Sequence, residues 1–196
     1  MHNEEFKALL DLLGWLFFDW RTGIVILLLI VAALIDVKTR RIPNWLVLSG
    51  ALYGVIYNTA LPPTPHDNIL FPLMGLALGL MLFLPLYLLR AMGAGDVKLL
   101  GMVGAFLGPG DTFYAALATM IVGGMLAILF VLAKGKLQIM FRNLASVFQL
   151  GYLSVASGST PNLQVAPQVS AGKLPYAVAI AIGTIGYLIL HQLGFI

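Results

Sequence analysis

Long apolar runs separated by short polar segments dominate this sequence and predict a helical membrane protein. A transmembrane helix needs about 20 mostly apolar residues, and mean hydropathy over such a window marks it. The runs cover about residues 21–36, 45–61, 69–89, 97–108, 112–133 and 174–193. We therefore predict an all-α fold, a polytopic bundle of about six transmembrane helices, formed by residues 1–196 as a single membrane domain.

Two segments outside these runs have patterns typical of the membrane surface. Residues 1–20 carry apolar side chains at helical spacing together with Trp15 and Trp20, which predicts an N-terminal interfacial segment. Residues 134–173 are predicted to form a cytoplasmic amphipathic helix and then a loop. Polar and apolar residues first alternate at helical spacing, and the sequence then becomes rich in Ser, Gly, Pro and Gln. The loop, 151–172, is either a plain connector or a mobile cover over a site.

The first and fourth runs are short for a span, and each has an aspartate at one end. Only 14 residues separate Arg21 from Asp36, about 21 Å of helix against a hydrocarbon core of about 30 Å. Either this span begins earlier, among the tryptophans, or Asp36 lies inside the membrane boundary. The fourth run is bounded by Asp96 and Asp111 in the same way. Ionisable groups at this depth are costly and are candidate functional groups by default.

Basic residues fall almost entirely on one side of the predicted bundle. With six spans and both termini outside, nine of the eleven Lys and Arg residues lie on the inner face, and only Lys7 and Arg21 lie outside. The positive-inside rule therefore predicts external termini in a multi-pass protein of the inner (plasma) membrane. The acidic residues show the opposite distribution. Six of the eight Asp and Glu residues lie on the outer face, and only Asp36 and Asp96 lie on the inner face. We attribute the net charge of +3 to orientation and to contact with the lipid bilayer, and predict no nucleic-acid partner.

Composition removes several chemistries from consideration. The chain is 60% apolar and 10% charged, whereas soluble domains carry about 25% charged residues. It has no cysteine, so disulfides, thiolate nucleophiles and cysteine-ligated zinc are excluded. Its three histidines are scattered, and neither a His-Glu-x-x-His motif, a Gly-x-Ser-x-Gly elbow nor a phosphate-binding loop is present. We therefore predict no metal and no cofactor.

Glycines four residues apart occur in several of the apolar runs. Such spacing lets membrane helices approach closely and predicts a tight bundle, although it carries no chemistry. The pairs are Gly50/Gly54, Gly75/Gly79 and Gly104/Gly108.

Asp36 and Asp96 are the candidate catalytic pair. Two carboxylates a few ångströms apart cannot easily both ionise, so they share a proton. The ionised one can take a proton from water while the protonated one donates a hydrogen bond to a substrate carbonyl. That arrangement hydrolyses amides without a metal or a covalent intermediate. The alternative is that each aspartate pairs at the interface with the lysine two residues later, Lys38 or Lys98.

Residues around Asp96 could also shape a site. Gly93 and Gly95 would let the backbone, and an extended substrate, come close to the carboxylate. Lys98 could bias the ionisation of the pair or bind the substrate backbone.

The two aspartate motifs resemble those of a known family. The stretch Gly93-Ala94-Gly95-Asp96 with Lys98 is similar to the GxGD signature of membrane aspartic proteases. Asp36 followed by Thr39-Arg40-Arg41-Ile42-Pro43-Asn44 resembles the first-aspartate motif of type IV prepilin leader peptidases. With Gly172-Lys173-Leu174-Pro175-Tyr176 before the last span, the resemblance covers about residues 30–185. Presenilin-like proteases share the glycine motif but have Tyr-Asp where this chain has Ile35-Asp36.

The resemblance implies an aspartic endopeptidase of type IV pilus and secretion systems in a bacterial or archaeal membrane. It would remove a short, often basic leader from prepilin-like or preflagellin-like precursors at the cytoplasmic face. Carried over by position, Asp36 and Asp96 would be the catalytic pair. The residues that would bind substrate or shape the site are Gly93, Gly95, Lys98, Lys38, Arg41, Pro43 and Asn44.

One departure from the family pattern concerns methylation. Larger members insert a cysteine-bearing cytoplasmic segment after the first span and also N-methylate the mature pilin. In this chain Asp36 follows the first apolar run at once and no cysteine exists, which implies a short, peptidase-only form without N-methyltransferase activity.

Two other classes of function stay open at this point. A small proton-coupled transporter could use the same two carboxylates as a relay; inverted repeats would favour it, and none is evident in the sequence. A non-catalytic assembly subunit is the third hypothesis. The sequence leaves open the precursor, the residues around its cleavage site and the oligomeric state.

Overall fold

The computed structural model describes residues 14, 20–60, 69–89, 92–133, 135 and 175–195. These residues form six helices and no strand, which confirms the all-α helical bundle. Each helix bound lies within three residues of its predicted position. The helices are α1 (Trp20–Thr39), α2 (Asn44–Ala60), α3 (Leu70–Leu88), α4 (Ala94–Leu107), α5 (Pro109–Ala133) and α6 (Tyr176–Gln192).

Three of these helices, α1, α3 and α5, are long and apolar enough to cross a membrane. The chain is accordingly a membrane protein, and many large apolar side chains on its helices are exposed, as a lipid-facing surface requires. Helices α2, α4 and α6 have 17, 14 and 17 residues, and the count of six spans stays a prediction. Almost all of the predicted interfacial segment and of the predicted 134–173 helix and loop lies outside the described residues.

The chain divides into two compact units. The first comprises Met1–Gly123 and Pro175–Ile196 and contains α1 to α4, the first part of α5 and α6. The second comprises Gly124–Leu174, of which the last part of α5 and Gly135 are described. The assignment of residues 1–196 to one membrane domain stays a prediction.

Helix α4 is the central element of the first unit. Every residue from Val97 to Leu107 except Lys98 is buried, and α4 contacts α1, α2, α3 and α6. A helix that is apolar all round is stable only inside other protein or lipid. Because α4 is enclosed by other helices, its length need not match the thickness of the bilayer. This accounts for the 14-residue run between Asp96 and Asp111, which is short for a span.

Glycines allow α3 to pack directly on α4. A side chain at Gly75 would overlap the carbonyl oxygen of Gly104, and one at Gly104 would overlap that of Gly75. At Gly79, one turn further along α3, a Cβ would lie 2.5 Å from the carbonyl oxygen of Leu100. The close approach predicted from glycine spacing is therefore confirmed at this crossing.

The far end of α4 is held by a buried amide on α2. Asn58 is 2% exposed, and its Nδ2 donates hydrogen bonds to the carbonyls of Gly54, Ala105 and Phe106 at 3.0, 2.9 and 3.1 Å. The last carbonyls of a helix lack intrahelical partners and are costly to bury unpaired. Asn58 satisfies two of them and fixes α4 at its C-terminal end, opposite the end that carries Asp96.

Candidate active site

Asp36 lies in the last turn of α1 and is 7% exposed. Its Oδ2 accepts a hydrogen bond from the backbone N–H of Ala177, with a donor–acceptor distance of 3.3 Å. Ala177 is the second residue of α6, where N–H groups have no intrahelical acceptor and the helix dipole favours negative charge. The start of α6 therefore provides a donor for this carboxylate.

Helix α1 ends within one turn of Asp36. Arg40 ends α1 in the left-handed region, with φ of 56°, which is uncommon for a residue with a side chain. The Thr39 hydroxyl lies 2.9 and 3.0 Å from the carbonyl oxygens of Ile35 and Arg41, so it can donate its proton to either and stabilises this turn. The Arg40 side chain interacts electrostatically with Asp36.

The two basic candidates at this turn lie on its surface. Both Lys38 and Arg41 are exposed. They are placed to meet a ligand that arrives from outside the bundle, whereas Asp36 is buried inside it.

Asp96 is the third residue of α4 and is 8% exposed. Its Oδ2 accepts a hydrogen bond from the backbone N–H of Gly93 at 3.0 Å, so the side chain caps the start of its own helix. A Cβ at Gly93 would lie 3.2 Å from this oxygen. The backbone of Gly93 is extended, a conformation that any residue can adopt. Glycine is favoured here because a side chain would crowd the carboxylate of Asp96.

The two carboxylates are both buried, on helices that meet. Helices α1 and α4 are in contact, and Asp36 and Asp96 are near enough to interact electrostatically. Among the described residues, no group of three or more His, Cys, Asp or Glu side chains could hold a metal ion; freedom from metals and cofactors stays a prediction. Buried carboxylates that repel each other can share a proton and activate water.

The remaining candidates lie where α4 meets the α1–α2 connection. A Cβ at Gly95 would lie 3.1 Å from the Cβ of Ile42. Pro43 is the last residue of this connection, and Asn44 opens α2. Lys98 donates to the Oδ1 of Asn44 at 3.0 Å rather than to Asp96. These contacts fix the start of α4 against the turn that follows Asp36.

The first turn of α6 contributes to the site and was missed by sequence reasoning. Besides Ala177, which binds Asp36, Tyr176 is half-buried and interacts electrostatically with Asp96. Pro175 precedes this helix with φ of −74°. The Leu174-Pro175-Tyr176 stretch was the available signal for this part of the site. The Ala177 donor could not be recognised from the sequence, because every residue except proline has a backbone N–H.

Bulk at Gly95 is expected to impair the site by displacing Asp96. In Gly95→Val the branched side chain meets Ile42, so the start of α4 shifts, and a displacement of about 1 Å near reacting groups costs about 10²-fold in rate. Peptide cleavage by the purified variant would measure this loss. Adding Ile42→Ala should restore most of the rate, and Gly110→Val, where no atom lies within 4 Å of the added Cβ, is the matched control. An unrestored double variant would contradict the steric explanation.

Comparison with known proteins assigns the chain to a family. A model described as the Type IV leader peptidase family matches residues 23–128, which is more than half of the chain and includes both aspartates. Helix α6 lies beyond the matched range. No curated protein and no solved structure matches the chain.

Proposed function

Because this chain belongs to the type IV leader peptidase family, we propose that it is an aspartic endopeptidase cleaving leaders from prepilin-like or preflagellin-like precursors. Family membership implies a peptidase. The observation that carries the aspartic assignment is that Asp36 and Asp96 are both buried, on two helices in contact, and near enough to interact electrostatically.

The proposed reaction is a direct attack by water on the scissile peptide bond. One carboxylate of the pair is ionised and takes a proton from water, whose oxygen bonds to the carbonyl carbon. The other is protonated and donates a hydrogen bond to the carbonyl oxygen, which carries the developing negative charge. When the tetrahedral intermediate breaks at its C–N bond, a carboxyl proton passes to the leaving nitrogen. The pair ends with one shared proton, as it began.

The first turn of α6 would position this pair. The Ala177 N–H holds one oxygen of Asp36, which fixes the orientation of that carboxylate. Tyr176, the first residue of α6, is near enough to Asp96 to interact with it electrostatically, and it would limit the access of water. We propose both as positioning residues.

The surrounding candidates would serve substrate access and shape. Gly93 and Gly95 keep side-chain bulk away from Asp96 and Ile42, and Pro43 and Asn44 fix the adjoining turn. Lys38 and Arg41 would contact the precursor from the exposed side. The absence of cysteine supports a peptidase-only form.

Cleavage of a precursor tests the proposal directly. The purified chain in phospholipid vesicles is mixed with a leader-bearing prepilin-like precursor, and the products are sized by mass spectrometry. We expect one shorter product, formed at the same rate with or without a metal chelator, because two carboxylates and water suffice. Loss of cleavage in chelator, restored by added metal, would contradict the metal-free mechanism. Proton flux through the vesicles without any cleavage would support the transporter hypothesis instead.

The cytoplasmic location of the site is tested by topology. The distribution of basic residues predicts that a reporter fused after Arg41 lies in the cytoplasm and that one inserted within 62–68 lies outside. Paired reporters, one active only inside and one only outside, measure each position. A cytoplasmic signal from 62–68 would overturn the orientation and place the aspartates at the outer face.

A further inference from the structure

An apolar groove lies between α2 and α3, with α4 as its floor. Its volume is about 560 Å³. The side chains and backbone that line its apolar part are those of Trp45, Leu48, Leu76, Leu80, Gly101 and Met102. Trp45 and Leu48 are 65% and 72% exposed, so in a membrane the groove opens to lipid.

One end of the groove is polar and positively charged. Asn44 and Lys98 line it there, joined by the 3.0 Å hydrogen bond from the lysine Nζ to the amide oxygen. Lys98 remains exposed, and the basic side chains of Lys38 and Arg41 are exposed at the neighbouring end of α1. The groove therefore has an apolar body and a cation at its mouth.

We propose that this groove binds one acyl chain of an anionic phospholipid, with the headgroup phosphate at Lys98. The phosphate is complementary in charge to the lysine, and the acyl chain is complementary to the apolar lining. From Asn44 to Ala51 the lining extends over seven residues of helix, about 10 Å. That is about a third of the hydrocarbon thickness, so the groove accommodates the upper part of a single chain.

The apolar segment of a peptide substrate fits this groove less well. Lys98 follows Asp96 by two residues, which turns it by about 200° around α4, so the groove lies on the side of the helix away from the buried carboxylate. A basic leader would also be repelled by Lys98. A lipid is attracted to the same lysine and surrounds the protein.

Lipid bound here would change the charge that a precursor meets. The inner face is predicted to carry nine basic residues, which repel a basic leader. A phosphate at Lys98 offsets one of these charges close to Asp96. Only this consequence depends on the proposed peptidase activity; the binding itself does not.

Quenching of Trp45 fluorescence by brominated lipid tests the site without any cleavage assay. Replacing Trp15 and Trp20 by Phe leaves Trp45 as the single tryptophan of the chain. The protein is reconstituted into phosphatidylcholine vesicles that contain phosphatidylglycerol or phosphatidylcholine with brominated acyl chains. We expect phosphatidylglycerol to reach half-maximal quenching at about fivefold lower mole fraction, the preference that one lysine near an anionic headgroup provides.

Charge variants decide whether Lys98 causes the preference. Lys98→Gln should abolish it and Lys98→Arg should retain it, while Lys38→Gln, at a lysine that is also exposed but does not line the groove, should leave it unchanged. Equal quenching by the two lipids in the parent protein, or an unchanged preference in Lys98→Gln, would overturn the proposal. Relief of quenching from both lipids alike by an added apolar substrate segment would assign the groove to peptide and would also overturn it.

Discussion

Asp36→Asn and Asp96→Asn are each expected to lower the rate of leader cleavage by about 10²–10⁴-fold, the contribution of a positioned acid or base. An amide can neither take the proton from water nor return one to the leaving nitrogen. Its oxygen can still accept the hydrogen bonds from Ala177 and Gly93, so the fold should survive. Rates of product formation by purified variants, with thermal unfolding as a check of structure, measure the effect.

The double variant sharpens this test. Two carboxylates that share one proton act as a unit, so Asp36→Asn/Asp96→Asn should be little worse than either single variant. Asp111→Asn is the matched control: Asp111 accepts a 2.9 Å hydrogen bond from Tyr187 at the opposite end of α4, and an asparagine oxygen can do the same. Near-normal turnover by Asp36→Asn would refute the paired mechanism even if the chain proved to be a peptidase.

Gly75→Leu is expected to prevent native packing of α3 on α4. The new side chain meets the backbone of Gly104 and Gly108, which cannot rotate away as a flexible side chain could. Overpacking at ordinary core positions costs about 1–3 kcal/mol and occasionally more, and we expect a loss of about 3 kcal/mol or more in the free energy of unfolding. Titration of the folded fraction with a denaturing detergent measures it.

Gly186→Ala is the matched control and should shift stability in the opposite direction. This glycine lies inside α6, and no atom comes within 4 Å of an added Cβ. Because alanine is favoured over glycine in a helix by about 1 kcal/mol, a small gain is expected. A Gly75→Leu protein that unfolds at the same detergent concentration as the parent would contradict the packing described for α3 and α4.

Much of the fold could be predicted because a bilayer allows few alternatives. Backbone groups in hydrocarbon must be paired within the segment, so long apolar runs become helices. The first run was predicted over about 21–36, and α1 extends from Trp20 past a buried Asp36 to Thr39. Whether Asp36 lies inside the membrane boundary stays a prediction. Glycine spacing correctly indicated that helices approach closely, and the structure shows that α3 and α4 do so.

Charge and motif singled out the two aspartates, but their surroundings depend on contacts that periodicity cannot encode. Ala177 reaches Asp36 across 141 residues through a backbone N–H. Arg40 ends α1 with its backbone in the left-handed region, which nothing about an arginine side chain predicts. Sequence reasoning gave Lys98 a place beside the carboxylates, whereas its amine bonds Asn44 across 54 residues. Such partners are fixed only when separate helices pack.

The hydrogen bond from Ala177 to Asp36 can form only late in the synthesis of the chain. A chain is synthesised from its N-terminus, so both aspartates are made long before residue 177. From the synthesis of Asp96 until that of Ala177, the growing protein therefore carries the two carboxylates without the N–H group that holds Asp36. Insertion of the last helix completes this arrangement, and a chain that stops before α6 has both acids but lacks the N–H group that binds one of them.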